Sequence, residues 1–203
     1  MKATVNFRIL RAGIPCALIL LAAGELAAQD FPAGPRPVAT AHTLNQSPVV
    51  DDNVLDDPAW NNLEPITGFV QTQPNSGQPA TQRTEVFVGY TDDAIYIGVV
   101  AFDDDPAAIS ATDSRRDSSL NDTDSFKVLI DGLMDRQNGF VFGTNPASVE
   151  FDGQVNREGA SANGFGNEGG LNTNWDAPWR VVSSVSDIGW SSEFMIPFSS
   201  LRY

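Results

Sequence analysis

Residues 84–102 read TEVFVGYTDDAIYIGVVAF, and this stretch decides the fold class. Thr84, Val86, Val88 and Tyr90 alternate with Glu85, Phe87 and Gly89, a period of two rather than 3.6, which is the signature of a β-strand. Asp92-Asp93 then turns the chain into Ala94–Phe102, an almost unbroken apolar run of the kind that forms a central strand. The two halves read as a β-hairpin.

Working outward from the hairpin, further strands are expected at Gly68–Gln73, Ser125–Ile130, Gly139–Thr144, Ser148–Phe151, Arg180–Val185 and Trp190–Phe198, each bounded by Asp, Asn, Gly or Pro. Only Asp57–Leu63 and Pro106–Ala111 read as helical, each a turn or two long. Short strands separated by turn signals predict an all-β, antiparallel, jelly-roll-like β-sandwich with one or two short helices. Gly159–Asn174, rich in Gly and Asn, reads as a long surface loop.

The chain has 203 residues, enough for one sizeable core, and 41% of them are hydrophobic. Lys2, Arg8 and Arg11 followed by the apolar stretch Ile14–Ala23 read as a secretory signal peptide over residues 1–28, with Ala27-Ala28 as the cleavage point. The apolar stretch is too short to span a bilayer. The mature chain is therefore expected to be secreted. Residues 29–48, with Pro32, Pro35 and Pro37, read as a Pro-rich tether, and residues 49–203 as the folded domain. The chain stops at Leu201-Arg202-Tyr203 directly after an apolar strand, which reads as a fragment of a longer protein.

Charge narrows the function. Twenty-six acids against 12 bases give a formal net charge of −14, which opposes nucleic-acid and anionic-lipid binding. Cys16, the one cysteine, lies in the leader, so the mature chain has no disulfide, no Cys-ligated zinc and no cysteine nucleophile. His42 is the one histidine and lies in the tether, and G-x-S-x-G, P-loop and H-E-x-x-H patterns are missing. No catalytic residue and no organic cofactor are expected.

Binding is the better reading. Trp60, after Asp57-Pro58-Ala59, reads as packed under the first short helix, and Trp190 opens a run in phase with Phe194, Ile196 and Phe198, so both read as core, whereas Trp175 and Trp179 lie in NTNWDAPW at the end of the Gly/Asn loop. An indole exposed there suits the apolar C–H face of a pyranose, whose hydroxyls point sideways to polar side chains. Trp175 folding back to cap the sandwich edge is the alternative. Arg115-Arg116-Asp117 supplies planar donor forks for vicinal hydroxyls or a carboxylate, or for pairing with nearby acids such as Asp122 and Asp124. Asp122, Asp124 and Asp131 are candidate ligands for a structural calcium, although no EF-hand spacing is present.

The ordered motifs VVDDNVLDDPAW, TQRTEVFVGYTDDAIYIGVVAFDDDP, RRDSSLNDTDSFKVLIDGLMDRQNGFVFGTNP and WDAPWRVVSSVSDIGWSSEFMIPFSSLRY resemble the family 9 carbohydrate-binding modules, in the version found N-terminal to bacterial outer-membrane barrels. The resemblance covers about Val49 to Tyr203. It implies a non-catalytic β-sandwich that binds poly- or oligosaccharide through aromatic stacking and polar side chains, with bound calcium in some members. Trp175, Arg115, Arg116, Asp117, Asn174 and Trp179 fall where it implies a ligand face. It also implies a C-terminal barrel as partner in the parent chain. Two other classes stay open: a module of a glycoside hydrolase, and a docking domain of a barrel protein.

Overall fold

The computed structural model describes the backbone of residues 5–7 and residues 38–51, 53–111, 113–156 and 170–201. Within them the chain forms ten strands in two five-stranded sheets. The strands are β1 (Val5–Phe7), β2 (His42–Thr43), β3 (Thr84–Tyr90), β4 (Ala94–Phe102), β5 (Phe126–Ile130), β6 (Gly139–Thr144), β7 (Phe151–Val155), β8 (Leu171–Asn172), β9 (Arg180–Ser186) and β10 (Gly189–Pro197). One sheet runs β1-β5-β6-β7-β8 and the other β2-β3-β4-β10-β9, antiparallel except for the short β2–β3 pair. The expected all-β sandwich is the observed architecture.

The period-two reading of β3 is correct in register. Val86 pairs with Val99 and Val88 with Ile97, and these four side chains are buried in the interior between the sheets. Facing them from the other sheet are Phe126, Val128, Phe140 and Phe142. Residues opposite each other in an antiparallel ladder share a face, so each pairing fixes two core positions at once.

The apolar run of β4 has a second cause. Its outer face is covered by the segment 44–63, where Leu44, Val54 and Trp60 bury themselves against Phe87, Ala94, Tyr96 and Val100. Packing therefore extends into the expected tether, with His42–Thr43 laid along β3 and Leu44 buried. Gly98 admits this cover: a Cβ there would stand 2.9 Å from Val54 Cγ1 and 3.2 Å from Trp60 Cε2. Beside it, the fully buried Glu193 accepts the Trp60 indole N–H at 2.7 Å and the Asp51 amide at 3.0 Å.

Several local expectations are corrected. Gly68–Gln73 is not a strand but one arm of an excursion over residues 68–80, held by the isolated bridge Val70–Pro79; Gly68, with φ of 72°, turns the chain out of the sheet. Asp57–Leu63 is a set of turns with i to i+3 bonds, Trp60 N to Asp57 O and Leu63 N to Trp60 O, and not a helix. The strand expected at Ser148–Phe151 begins instead at Phe151, because Ser148, at φ of 61°, closes a turn on Asn145. Pro106–Ala108 is a 3-10 turn, and Phe198–Leu201 forms a second one after β10. Most of the Gly/Asn loop lies outside the described residues, although Leu171–Asn172 pairs with β7. The signal-peptide reading likewise falls mainly outside them, apart from Val5–Phe7, whose backbone pairs with β5 at a sheet edge.

Candidate functional site

The segment 113–118 lies along β7. Asp117, with φ of 59°, donates its amide to Glu150 O at 2.9 Å, and its carboxylate takes the Asp152 amide at a long 3.5 Å. This docks the Arg-Arg-Asp triplet on one edge of the sandwich, and the two arginines then part.

Arg115 turns to solvent, with its side chain 85% exposed. Its guanidinium closes on its near neighbour Asp113, with Nη2 to Oδ2 at 2.7 Å, and holds that carboxyl well below the usual carboxylate range. Arg116 turns inward. Its Nη2 donates to Asp152 Oδ1 at 2.6 Å and to Ala177 O at 3.3 Å, it also hydrogen-bonds the carboxylates of Glu150 and Asp176, and its Nε stands 3.8 Å from Asp117. One cation gathers four acids.

Asp152 is the centre of this clamp. Its side chain is 1% exposed, and its second oxygen accepts the Ala177 amide at 2.9 Å, so it fastens the 176–179 segment to β7. The Trp179 indole N–H faces the same carboxylate and favours its ionised form without meeting hydrogen-bond geometry. Burial, the largest influence, pushes the Asp152 and Glu150 carboxyls above their ordinary range against the pull of Arg116. For Arg116 burial works the other way, but its carboxylates together outweigh it and raise the guanidinium further.

The two tryptophans beside the clamp differ. Trp179 is core: it is 6% exposed, stacked on Phe194 at 5.8 Å and edge-on to Phe142. Trp175 is half-buried, with its ring centroid 4.6 Å from that of Phe140 and an interplanar angle of 31°, and Phe142 meets it edge-on. The packing fixes the ring while leaving part of it at the surface. Asn174 is exposed in the turn that delivers Trp175, with its amide donating to Asn172 Oδ1 at 3.2 Å.

Asp176, next in the chain after Asn174-Trp175, ties that rim to Arg116, beside which Asp117 lies; Arg115 does not join them, and Trp179 is buried in the core. Sequence reasoning looked for the partners of Arg116 in nearby acids, and missed Glu150, Asp152 and Asp176. These are 34, 36 and 60 residues away, so no local signal marked them.

The calcium ligands proposed from sequence are not gathered. Asp124, on the lead-in to β5, accepts the Ser110 amide at 2.8 Å, while Asp131, past the far end of β5, accepts the Arg136 amide at 2.7 Å. Strand β5 holds them apart, and Asp122 is exposed in the turn before it. Among the described residues no group of three or more His, Cys, Asp or Glu side chains is arranged to hold a metal ion.

No family model matches the chain, and no curated protein matches it. Among solved structures it is similar to a family 9 carbohydrate-binding module from Caldicellulosiruptor kristjanssonii. The cellotriose complex aligns at 18% identity over 80% of this chain and 69% of that one, with a TM-score of 0.48. The glucose complex aligns at 18% identity over 80% and 70%, with a TM-score of 0.47. Neither transfers a residue role to this chain.

Proposed function

We propose that this chain is a non-catalytic carbohydrate-binding domain, exported to the cell envelope after loss of residues 1–28, that holds a saccharide on the rim around Trp175. The observation that carries the reading is a half-exposed indole, braced from behind by Phe140, beside carboxylates that one guanidinium keeps in place. A pyranose lays its C–H face on the ring, and its hydroxyls donate outward.

The roles of the polar residues follow from the donor inventory. Arg116 spends its fork on protein acceptors, so it serves as a positioning residue. Displacing one of its carboxylates for a neutral hydroxyl would forfeit a charged hydrogen bond of about 1.5–3 kcal/mol. Asp176, 72% exposed, and Asp117, at 41%, are the acceptors within a ligand's reach. Asn174 adds an exposed amide. Weak binding follows, because each hydroxyl exchanges water for a protein partner at little net gain.

The test is a glycan array probed with the full chain and with Trp175→Ala, folding being checked by circular dichroism. Retention of at least one neutral polysaccharide by the parent, reduced tenfold or more in the variant, is the expected result. Equal retention by both, or none by the parent, overturns the reading.

A further inference from the structure

Toward the other end of β5 from the Trp175 rim lies a cleft of about 150 Å³. Trp175 packs on Phe140, which pairs with Ile130 at the last position of β5, whereas the cleft is lined by Phe126 at the first. Counted from Phe140 this is four residue steps, and from Phe142, the edge-on neighbour of Trp175 that pairs with Val128, two, so at about 3.3 Å each roughly 7 to 13 Å of strand separates the two places.

The cleft is constructed from well-tied parts. One wall is the 68–80 excursion, braced by Gln71 Nε2 donating to Pro79 O at 2.8 Å and by Ala80 N to Phe69 O at 2.8 Å. The floor is apolar, formed by Val99, Phe126 and Trp190, all buried residues of the main core. The rim carries Gln73, Gln82, Thr84, Asp103 and Asp124. Both carboxylates are oriented by backbone amides: Asp105 N donates to Asp103 Oδ1 at 2.8 Å and Ser110 N to Asp124 Oδ2 at 2.8 Å.

This chemistry selects a class of ligand. Among the described residues that line the cleft none is Lys, Arg or His and two, Asp103 and Asp124, are acids, so its lining disfavours anions. Side-chain amides and a hydroxyl each donate and accept, which matches ligand hydroxyls rather than a bare ammonium. The volume is about half the ~300 Å³ typical of the smallest drug-sized pockets, so one ring fits and a chain does not. We propose that the cleft is a second glycan subsite, taking a single neutral sugar residue independently of Trp175. The proposal rests on the carbohydrate-binding reading for its ligand class, but not on the Trp175 rim. Two subsites on one domain would raise retention on a polymer by effective concentration, without a new contact.

The experiment is a titration of the ¹⁵N-labelled full chain with D-glucose. The side-chain amide signals of Gln73 and Gln82 report the cleft, and the Trp175 indole signal reports the rim. Saturable shifts of the two amides, persisting in Trp175→Ala, lost in Gln82→Leu and in Asp103→Asn, and at least tenfold weaker with glucuronate, are the expected result. Amides that stay still while the Trp175 indole moves overturn the second subsite and leave the rim reading standing. Moving amides with a still indole support the subsite and count against the rim. Shifts as large with glycerol as with glucose overturn the subsite as well.

Discussion

At the scale of single residues, the contact with most consequence for the fold joins Trp60 to Glu193, 133 positions apart, through one buried hydrogen bond of 2.7 Å. A carboxylate with no exposed surface is stable only while its oxygens are occupied, and the indole N–H and the Asp51 amide occupy one each. Trp60→Phe keeps an aromatic ring in the pocket but removes the indole N–H that Glu193 Oε1 accepts. A loss of about 1.5–3 kcal/mol in urea unfolding is expected, the contribution of a hydrogen bond to a charged group. In a double-mutant cycle, adding Glu193→Gln should cost less than in the parent, because the pair is already broken. Strict additivity would show that the hydrogen bond contributes nothing. Trp60 as core was legible from its DDPAW setting; its partner was not, because a lone Glu in the WSSEFMIPF run reads as a solvent-facing residue until the 44–63 cover is known.

At the scale of elements, the same cover explains what pattern reading achieved and where it stopped. Strand β3 was recognised by its alternation, because a sandwich writes its core into alternate positions, and β4 by the unbroken apolar run that burial on both faces produces. The 68–80 excursion carries a similar local pattern but makes only one isolated bridge within its own arms, and its distinguishing feature is the backbone turn at Gly68 rather than its apolar residues. At β7 the reverse holds: of FDGQV only Phe151 was expected in a strand, yet Asp152 and Gly153 are buried strand residues, one held by Arg116 and the other packed under Leu171. The candidate rim was half legible for the same reason. Trp175 and Arg116 stand out by type, whereas the acids that decide what Arg116 does are contributed by β7 and by the 176–179 segment. The cover itself can be tested at Gly98. Gly98→Ala should cost about 1–3 kcal/mol, the usual range for overpacking, and should displace Trp60. Its fluorescence would shift toward that of a hydrated indole; an unchanged spectrum and stability would mean that the 44–63 segment does not press on β4.

At the scale of the whole molecule, charge sets the response to pH. Glu150 and Asp152 are raised, so in the window above the ordinary carboxylate range the folded state holds protons that the unfolded state has lost. Their contribution is largest below that window and is lost as pH rises through it. Asp113 and Asp135 are depressed, so theirs is present above the ordinary range and is lost as pH falls below it. The two opposing slopes meet near the unperturbed carboxyl values of about 3.9 to 4.3, and relief of the −14 net charge acts in the same direction as the raised pair. The melting temperature should therefore peak in mildly acidic solution, near pH 4 to 5, and fall toward pH 8; a midpoint that climbs steadily to neutrality would contradict the electrostatic description of the clamp. The functional claim stands or falls on whether a sugar touches Trp175, and saturation-transfer NMR on the full chain with cellotriose measures that contact. Saturation strongest on the C–H protons of one pyranose face and largely lost in Trp175→Ala is expected, whereas no transfer to the sugar, or the same transfer in parent and variant, would contradict a stacking role for Trp175.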